Sequence, residues 1–364
     1  MRLVALAAAL LVDLWWAGAA LAQAKVPVHT DADIAHFREY RGPGRGAQEA
    51  WRELFLGQRF NRAMGVHPNG SWGAAYGHGS EESAIESAMR SCGEQVKRAK
   101  AEGECRLYAV NGRIVYPGVE FALPHLDHAI GDFTFRNEYF QYGPTKAKGV
   151  IVWQHGYSGR CNDQRMNAAW AVVTRFNLVG WDVLRFDRDP CLDGDINWAL
   201  SRLTDSVPKV RAAGYEKVVL AGQSRGAWQS IEFLAKGEVP IDGVLSISAA
   251  RHGENTSRAT LVAPDDWRRM IGAVKPGPAP LAAIFFAWDG FVPEAEQQAA
   301  FARGELASKG VRNLVVYEQD EEVVPLRSGK RNGHAGAGSA VFTKRYRDCL
   351  IRFIEVGTKD GACR

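Results

Sequence analysis

The chain has 364 residues, 46% of them hydrophobic and 24% charged, with a formal net charge of +4. That length suffices for one large α/β domain plus a smaller unit. So mild a basic balance, with no run of Lys and Arg interleaved with aromatic residues, argues against nucleic acid as a partner. Met1-Arg2 and the apolar residues 3–12 form a charged start and a short hydrophobic core. The small-x-small patterns Ala20-Leu-Ala22 and Ala22-Gln-Ala24 follow, so residues 1–24 read as a secretory signal peptide. Asp13 interrupts the apolar run, which is too short for a membrane anchor, and no later stretch is long and apolar enough to span a bilayer. The cysteines are Cys92, Cys105, Cys161, Cys191, Cys349 and Cys363, all beyond the leader. None has C-x-x-C spacing, which disfavours zinc and redox-active sites. Disulfides in an oxidising periplasmic or extracellular compartment fit better. The possible pairings stay open, with local partners expected: Cys92 with Cys105, Cys161 with Cys191, and Cys349 with Cys363.

Residues 25–120 read as a small α+β accessory module. The segment up to about residue 60 is polar and broken by Arg41-Gly-Pro-Gly-Arg-Gly46, although residues 47–56 have the spacing of a short amphipathic helix. Ser71-Trp-Gly-Ala-Ala-Tyr76 alternates like a strand. Ser80, with Glu81 and Glu82 just inside a helical pattern, has the chemistry of an N-cap and an acidic first turn. That assigns His78 and Ser80 to turn and capping work. The helix is expected to end near Gly103, and residues 105–116 read as two strands about an Asn111-Gly112 hairpin turn. A Cys92–Cys105 bond would pin the helix to this hairpin.

From residue 121 to 364 apolar strands alternate with helical stretches, the pattern of a mostly parallel sheet with helices on both faces. Strands are expected at 133–142, 149–153, 181–186, 218–221, 244–247, 281–286 and 313–317. Helices are expected at 166–176, 196–213 and 341–353, with Pro208 kinking or breaking the second. Residues 250–274 form the longest insertion near the strand ends, a candidate lid or pocket wall. His125-Leu-Asp-His128 offers two possible metal ligands but no supporting cluster, and reads as a linker loop.

Strand 218–221 runs into Gly222-Gln-Ser224-Arg-Gly226, after which Ala227, Trp228, Ile231 and Leu234 recur at helical spacing. Strand, G-x-S-x-G, helix is the context of a nucleophile elbow, which leaves the serine hydroxyl exposed on a tight corner. A serine hydroxyl is a poor nucleophile at neutral pH and needs a base beside it; an imidazole suits that work. His334 follows the last strand and is the candidate base. Asp289 follows strand 281–286 and is the candidate acid that orients it. His155 and His252 are alternative bases, though His252 precedes the acid, and Glu294 and Asp320 are alternative acids. Strand 149–153 ends in Gln154-His155-Gly156-Tyr157-Ser158-Gly159, so the amides of Tyr157 and Arg225 are the candidate oxyanion donors. His155 and Gly156 would brace and bend that loop over the serine, and Trp288 is a candidate pocket wall. Trp228 reads as core packing on the elbow helix. A Cys161–Cys191 bond would brace the same loop if the two preceding strands are neighbours.

Through His155-Gly156, Gly222-Gln-Ser224-Arg-Gly226, Asp289 before Val292-Pro293, and Gly333-His334, residues 121–353 resemble the α/β-hydrolases. The likeness is closest to secreted serine esterases and dienelactone-hydrolase-like members, with Ser224 where the dienelactone hydrolases carry cysteine. The resemblance implies hydrolysis through an acyl-enzyme at Ser224, His334 and Asp289, with no metal and no organic cofactor. The expected activity is that of an exported serine hydrolase acting on small-molecule or polymeric carboxylic esters. A peptidase or an acyltransferase would use the same groups, and an envelope binding protein would keep the fold without turnover.

Overall fold

A computed structural model describes residues 35, 38–56, 58, 61–111, 113–116, 121–122, 128–136, 139–157, 161–165, 169–251, 256–324, 326, 329–357 and 363. The leader at 1–24, His252, Ser158, Gly159 and residues 125–127 lie outside the described residues. The chain forms two sheets. The first holds β1 (Ala63–Val66), β2 (Trp72–Ala75), β3 (Arg106–Val110), β4 (Arg113–Ile114) and β5 (Phe121–Ala122), antiparallel throughout and ordered β2-β1-β3-β4-β5. Helix α1 (Arg45–Ala50) runs on into a π-helical turn, Trp51–Phe55. Helix α2 (Glu81–Arg98) begins at a capping box in which Ser80 Oγ accepts from the Ser83 amide at 3.2 Å. It ends at Arg98, short of Gly103, because Lys100 turns into the left-handed region at φ 51°. Cys92 is bonded to Cys105, tying α2 to the foot of β3. Asn111, at φ 49°, makes the tight connection from β3 to β4.

The second sheet holds β6 (His128–Ile130), β7 (Phe133–Phe135), β8 (Val150–Gln154), β9 (Asp182–Phe186), β10 (Val218–Gln223), β11 (Gly243–Ile247), β12 (Leu281–Phe286) and β13 (Asn313–Glu318). Its order is β13-β12-β11-β10-β8-β9-β7-β6. Strands β8 to β13 pair in parallel and β6 and β7 are antiparallel. Helices α3 (Ala171–Leu178), α4 (Ile196–Ala212), α5 (Arg225–Lys236), α6 (Thr256–Ala273), α7 (Ala295–Ser308) and α8 (Ala340–Val356) cover it. Successive strand residues point to opposite faces, so both faces must be apolar where both are covered. Val150, Val152, Val218 and Leu220 pack under α4, α5, α6 and α7, while Ile151, Trp153, Val219 and Ala221 pack under α3 and α8. This is the α/β class expected from the alternation of strands and helices.

Several expectations are corrected. The stretch 133–142 forms a strand only over Phe133–Phe135; Tyr139, Phe140 and Gln141 are buried without joining the ladder. His128, read as part of a linker, opens the edge strand β6. The helix expected at 166–176 starts only at Ala171, since Trp170 is extended at φ −64° and ψ 150°. Pro208 does not break α4, whose buried face of Leu200, Leu203, Val207 and Val210 holds the helix continuous across it. Within residues 250–274, Thr256–Ala273 form α6, anchored by Trp267, whose ring meets Trp228 at 6.0 Å and Phe285 at 5.2 Å. Cys161 is bonded to Cys191, and Cys349 to Cys363. No helix among the described residues is long and apolar enough to cross a membrane.

Candidate active site

Ser224 stands between β10 and α5 at φ 55° and ψ −117°, a conformation that non-glycine residues seldom adopt and that costs about 1–3 kcal/mol. Three main-chain bonds hold it there. Its amide donates to Ile247 O at 2.9 Å, and its carbonyl accepts from Trp228 N at 3.0 Å and Ala250 N at 3.2 Å. The elbow helix is tied to β8 as well: Gln154 Nε2 donates to Ser230 Oγ at 2.7 Å, and Ser230 Oγ donates to Gly226 O at 2.8 Å. The serine turn is therefore tied to strand β8.

Asp289 and His334 meet across the ends of β12 and β13. His334 Nδ1 lies 2.9 Å from Asp289 Oδ1 and 3.0 Å from Oδ2, and the carboxylate also accepts from the Phe291 amide at 2.9 Å. The Asp289 side chain is fully enclosed and that of His334 is 15% exposed. Phe291 lies against the imidazole at 4.5 Å between ring centroids. Gly333 N donates to Trp288 O at 3.0 Å, which joins the two loops directly. Gln223 Nε2 donates to His334 O at 3.3 Å and links that loop to the elbow. Among the described residues no hydrogen bond engages Ser224 Oγ, an arrangement that unliganded sites often show. The alternative acids are occupied otherwise: Asp320 pairs with Arg345 at 2.7 Å, and Glu294 opens α7.

The loop after β8 lies over the serine. A Cβ on Gly156 would stand 2.6 Å from Gln223 Oε1 and 3.4 Å from Ser224 Cβ, so any larger residue there would have to displace the Gln223 side chain. The amides of Tyr157 and Arg225 make no hydrogen bond among the described residues. Strands β8 and β9 are neighbours, so the Cys161–Cys191 bond joins the loops that leave them. Trp288, next to Asp289, is 45% exposed, with Arg331 Cζ 5.1 Å above its ring. Trp228 is buried core.

One group that matters here went unnoticed in the sequence. Arg188, fully buried just past β9, donates through Nη2 to His155 O at 2.7 Å and to Gly156 O at 3.0 Å. Its Nε meets Asp193 Oδ1 at 2.5 Å. The signal available was the charged run Asp187-Arg188-Asp189 directly after the strand that ends at Phe186. His155 braces the same loop: its Nδ1 is 2.6 Å from Gly156 O, to which it donates in one tautomer, and 3.2 Å from Arg188 Nη2, from which it accepts in the other. Burial, and then the adjacent Arg188 charge, hold its pKa down at about 3, so it stays neutral across the working range.

That depression has a stability consequence. The unfolded chain takes up a proton near pH 6.5 that the folded chain refuses until about pH 3. The contribution is complete above the unfolded value and is lost as pH falls, by about 2 kcal/mol between pH 7 and pH 5. A His155→Gln variant should show a correspondingly flatter change in urea-unfolding free energy between those two pH values. An unchanged slope would mean that the ring is not buried neutral.

Among the described residues no three His, Cys, Asp or Glu side chains are grouped so as to hold a metal ion. No protein-family model matches the chain, and no curated protein matches its sequence. Among solved structures, an esterase of Pyrococcus furiosus is 15% identical, with a TM-score of 0.41 over 64% of this chain and 90% of that one. A puromycin-hydrolyzing peptidase of Mycobacterium tuberculosis is 12% identical, with a TM-score of 0.43 over 64% of this chain and 40% of that one. Est1E from Butyrivibrio proteoclasticus is 12% identical, with a TM-score of 0.38 over 58% of this chain and 89% of that one. Counted within its own sheet, the strand order is 1-2-4-3-5-6-7-8. With the serine turn after the fifth of those strands, the aspartate after the seventh and the histidine after the eighth, the chain has the α/β-hydrolase fold.

Proposed function

We propose that the chain is an exported serine hydrolase that cleaves carboxylic esters through an acyl-enzyme. Ser224 Oγ attacks the carbonyl carbon while His334 Nε2 takes its proton. Asp289 holds the imidazole by Nδ1 and stabilises the imidazolium that forms. The amides of Tyr157 and Arg225 receive the charge that develops on the carbonyl oxygen, each such donor being worth about 3 kcal/mol in the transition state. Collapse of the tetrahedral intermediate breaks the bond to the leaving alcohol, which takes the proton back from His334. A water then repeats the sequence on the acyl-enzyme and releases the acid.

The observation that carries this reading is the His334–Asp289 hydrogen bond beside a strained, hydroxyl-bearing elbow. Three disulfides support export, and residues 25–120 are taken as an accessory module attached to the catalytic unit. The test is an active-site phosphonate. It should add to the peptide that contains Ser224 and abolish hydrolysis of short p-nitrophenyl esters in step with labelling. A protein that remains unmodified and inert toward the whole ester panel would be a binding module, and the reading would fall.

A further inference from the structure

Arg225 is a buried cation with no ion-pair partner among the described residues. The residue is only 6% exposed, and its Nε is enclosed with no hydrogen-bond partner. Among the described residues its guanidinium forms no ion pair, and it rests on the face of Tyr157, with Cζ 5.0 Å from the ring centroid. The neighbouring cations are matched. Arg188 has Asp193 at 2.5 Å, Arg185 has Asp187 at 2.9 Å, and Arg251 has Asp266 at 2.9 Å. Burial pulls the Arg225 pKa down; Asp193 opposes that, and Arg188 adds to it.

A buried cation without a counter-ion is costly. Arg225 is also the first residue of α5, where the positive end of the helix dipole opposes a cation further. A side chain serving only to pack on Tyr157 would need no charge. A guanidinium kept there, next to the serine, fits an anion delivered by the substrate.

The two flanks of the serine decide which part of the substrate brings it. Strand β10 has β8 on one side and β11 on the other. His334 stands on the β12–β13 side, and in the proposed mechanism it hands its proton to the leaving oxygen, so the leaving group belongs on that flank. Tyr157 and Arg188 come from the β8–β9 side, and the Arg225 guanidinium lies with them. It lies away from the leaving group, on the flank where the acyl part is placed in this proposal. A guanidinium with no ion-pair partner among the described residues offers a planar fork of donors that matches a carboxylate, which it can hold through two parallel bonds.

We propose that Arg225 binds a carboxylate on the acyl chain, so that the preferred substrates are half-esters of dicarboxylic acids. This rests on the serine-hydrolase reading above. The test compares monoethyl glutarate and monoethyl adipate with the neutral esters in which an isopropyl group replaces the free carboxylate, followed by pH-stat titration. The wild-type protein should favour the half-esters in kcat/KM. Arg225→Met should lower that ratio by about tenfold to a hundredfold, and Arg225→Lys, which keeps the charge but loses the fork, should fall between. Reading a ratio cancels any loss common to both substrates. Binding of glutarate alone, by calorimetry on the Ser224→Ala protein, should disappear with Arg225→Met. A ratio unmoved by Arg225→Met, or a wild-type preference for the neutral esters, overturns the proposal while leaving the hydrolase intact. Glutarate binding that depends on Arg225 in a protein that phosphonate does not label would support the carboxylate site and sink the hydrolase reading instead.

Discussion

Asp289→Asn is expected to lower kcat on a short ester by about four orders of magnitude while the fold persists. The wild-type carboxylate accepts His334 Nδ1 and the Phe291 amide on one oxygen, and its other oxygen stands 3.0 Å from the same imidazole nitrogen. An amide of the same shape puts an NH2 group against that ring N–H, so the imidazole turns its proton toward the serine and ceases to be a base. Ser224→Ala should cost more, about six orders of magnitude, and the double variant should be no slower than Ser224→Ala alone, because the groups act as a unit. Turnover of p-nitrophenyl butyrate, normalised to folded protein, decides the matter. An Asp289→Asn enzyme within tenfold of wild type would remove Asp289 from the mechanism.

Gly226→Ala is expected to destabilise the protein by more than about 4 kcal/mol, at the severe end of single substitutions. A methyl there would overlap the carbonyl oxygen of Gln154 and stand 2.6 Å from its carbonyl carbon, and those are main-chain atoms of the neighbouring central strand. Gly222→Ala meets the same obstacle from the other side, with Ala227 N at 2.6 Å. Gly304→Ala supplies the contrast: it lies inside α7 with nothing within 4 Å of the added methyl, and should stabilise the helix by about 1 kcal/mol. Urea denaturation of the three variants measures both signs. A Gly226→Ala protein as stable as wild type would mean that strand β8 and helix α5 are less closely packed than described.

The parts of this architecture that local chemistry dictates were legible along the chain. The strand, tight turn and helix around Ser224 declare themselves within twenty residues, and Asp289 and His334 each follow a readable apolar strand. Ser80 and Asn111 likewise carry their turns in their own side chains and neighbours. What stayed hidden depends on atoms distant in sequence. Pro208 looks like a helix breaker until the four buried residues around it hold α4 to the sheet. Residues 250–274 read only as a long insertion because Trp267 finds Trp228 and Phe285 once the crossover is built. Arg188 and the Arg225 side chain are ordinary surface arginines by composition. Their burial follows from two loops meeting, and nothing in either loop alone announces it.

The arrangement of Arg188 bears on how quickly the site can respond to a ligand. Its guanidinium holds the carbonyls of His155 and Gly156, and those peptides set the direction of the Tyr157 amide. On the proposed role of the Tyr157 amide, that dipole is oriented when the polypeptide folds, and reorganisation is not left to the moment of bond making. If the proposed mechanism holds, little main-chain movement at His155 and Gly156 is needed ahead of chemistry.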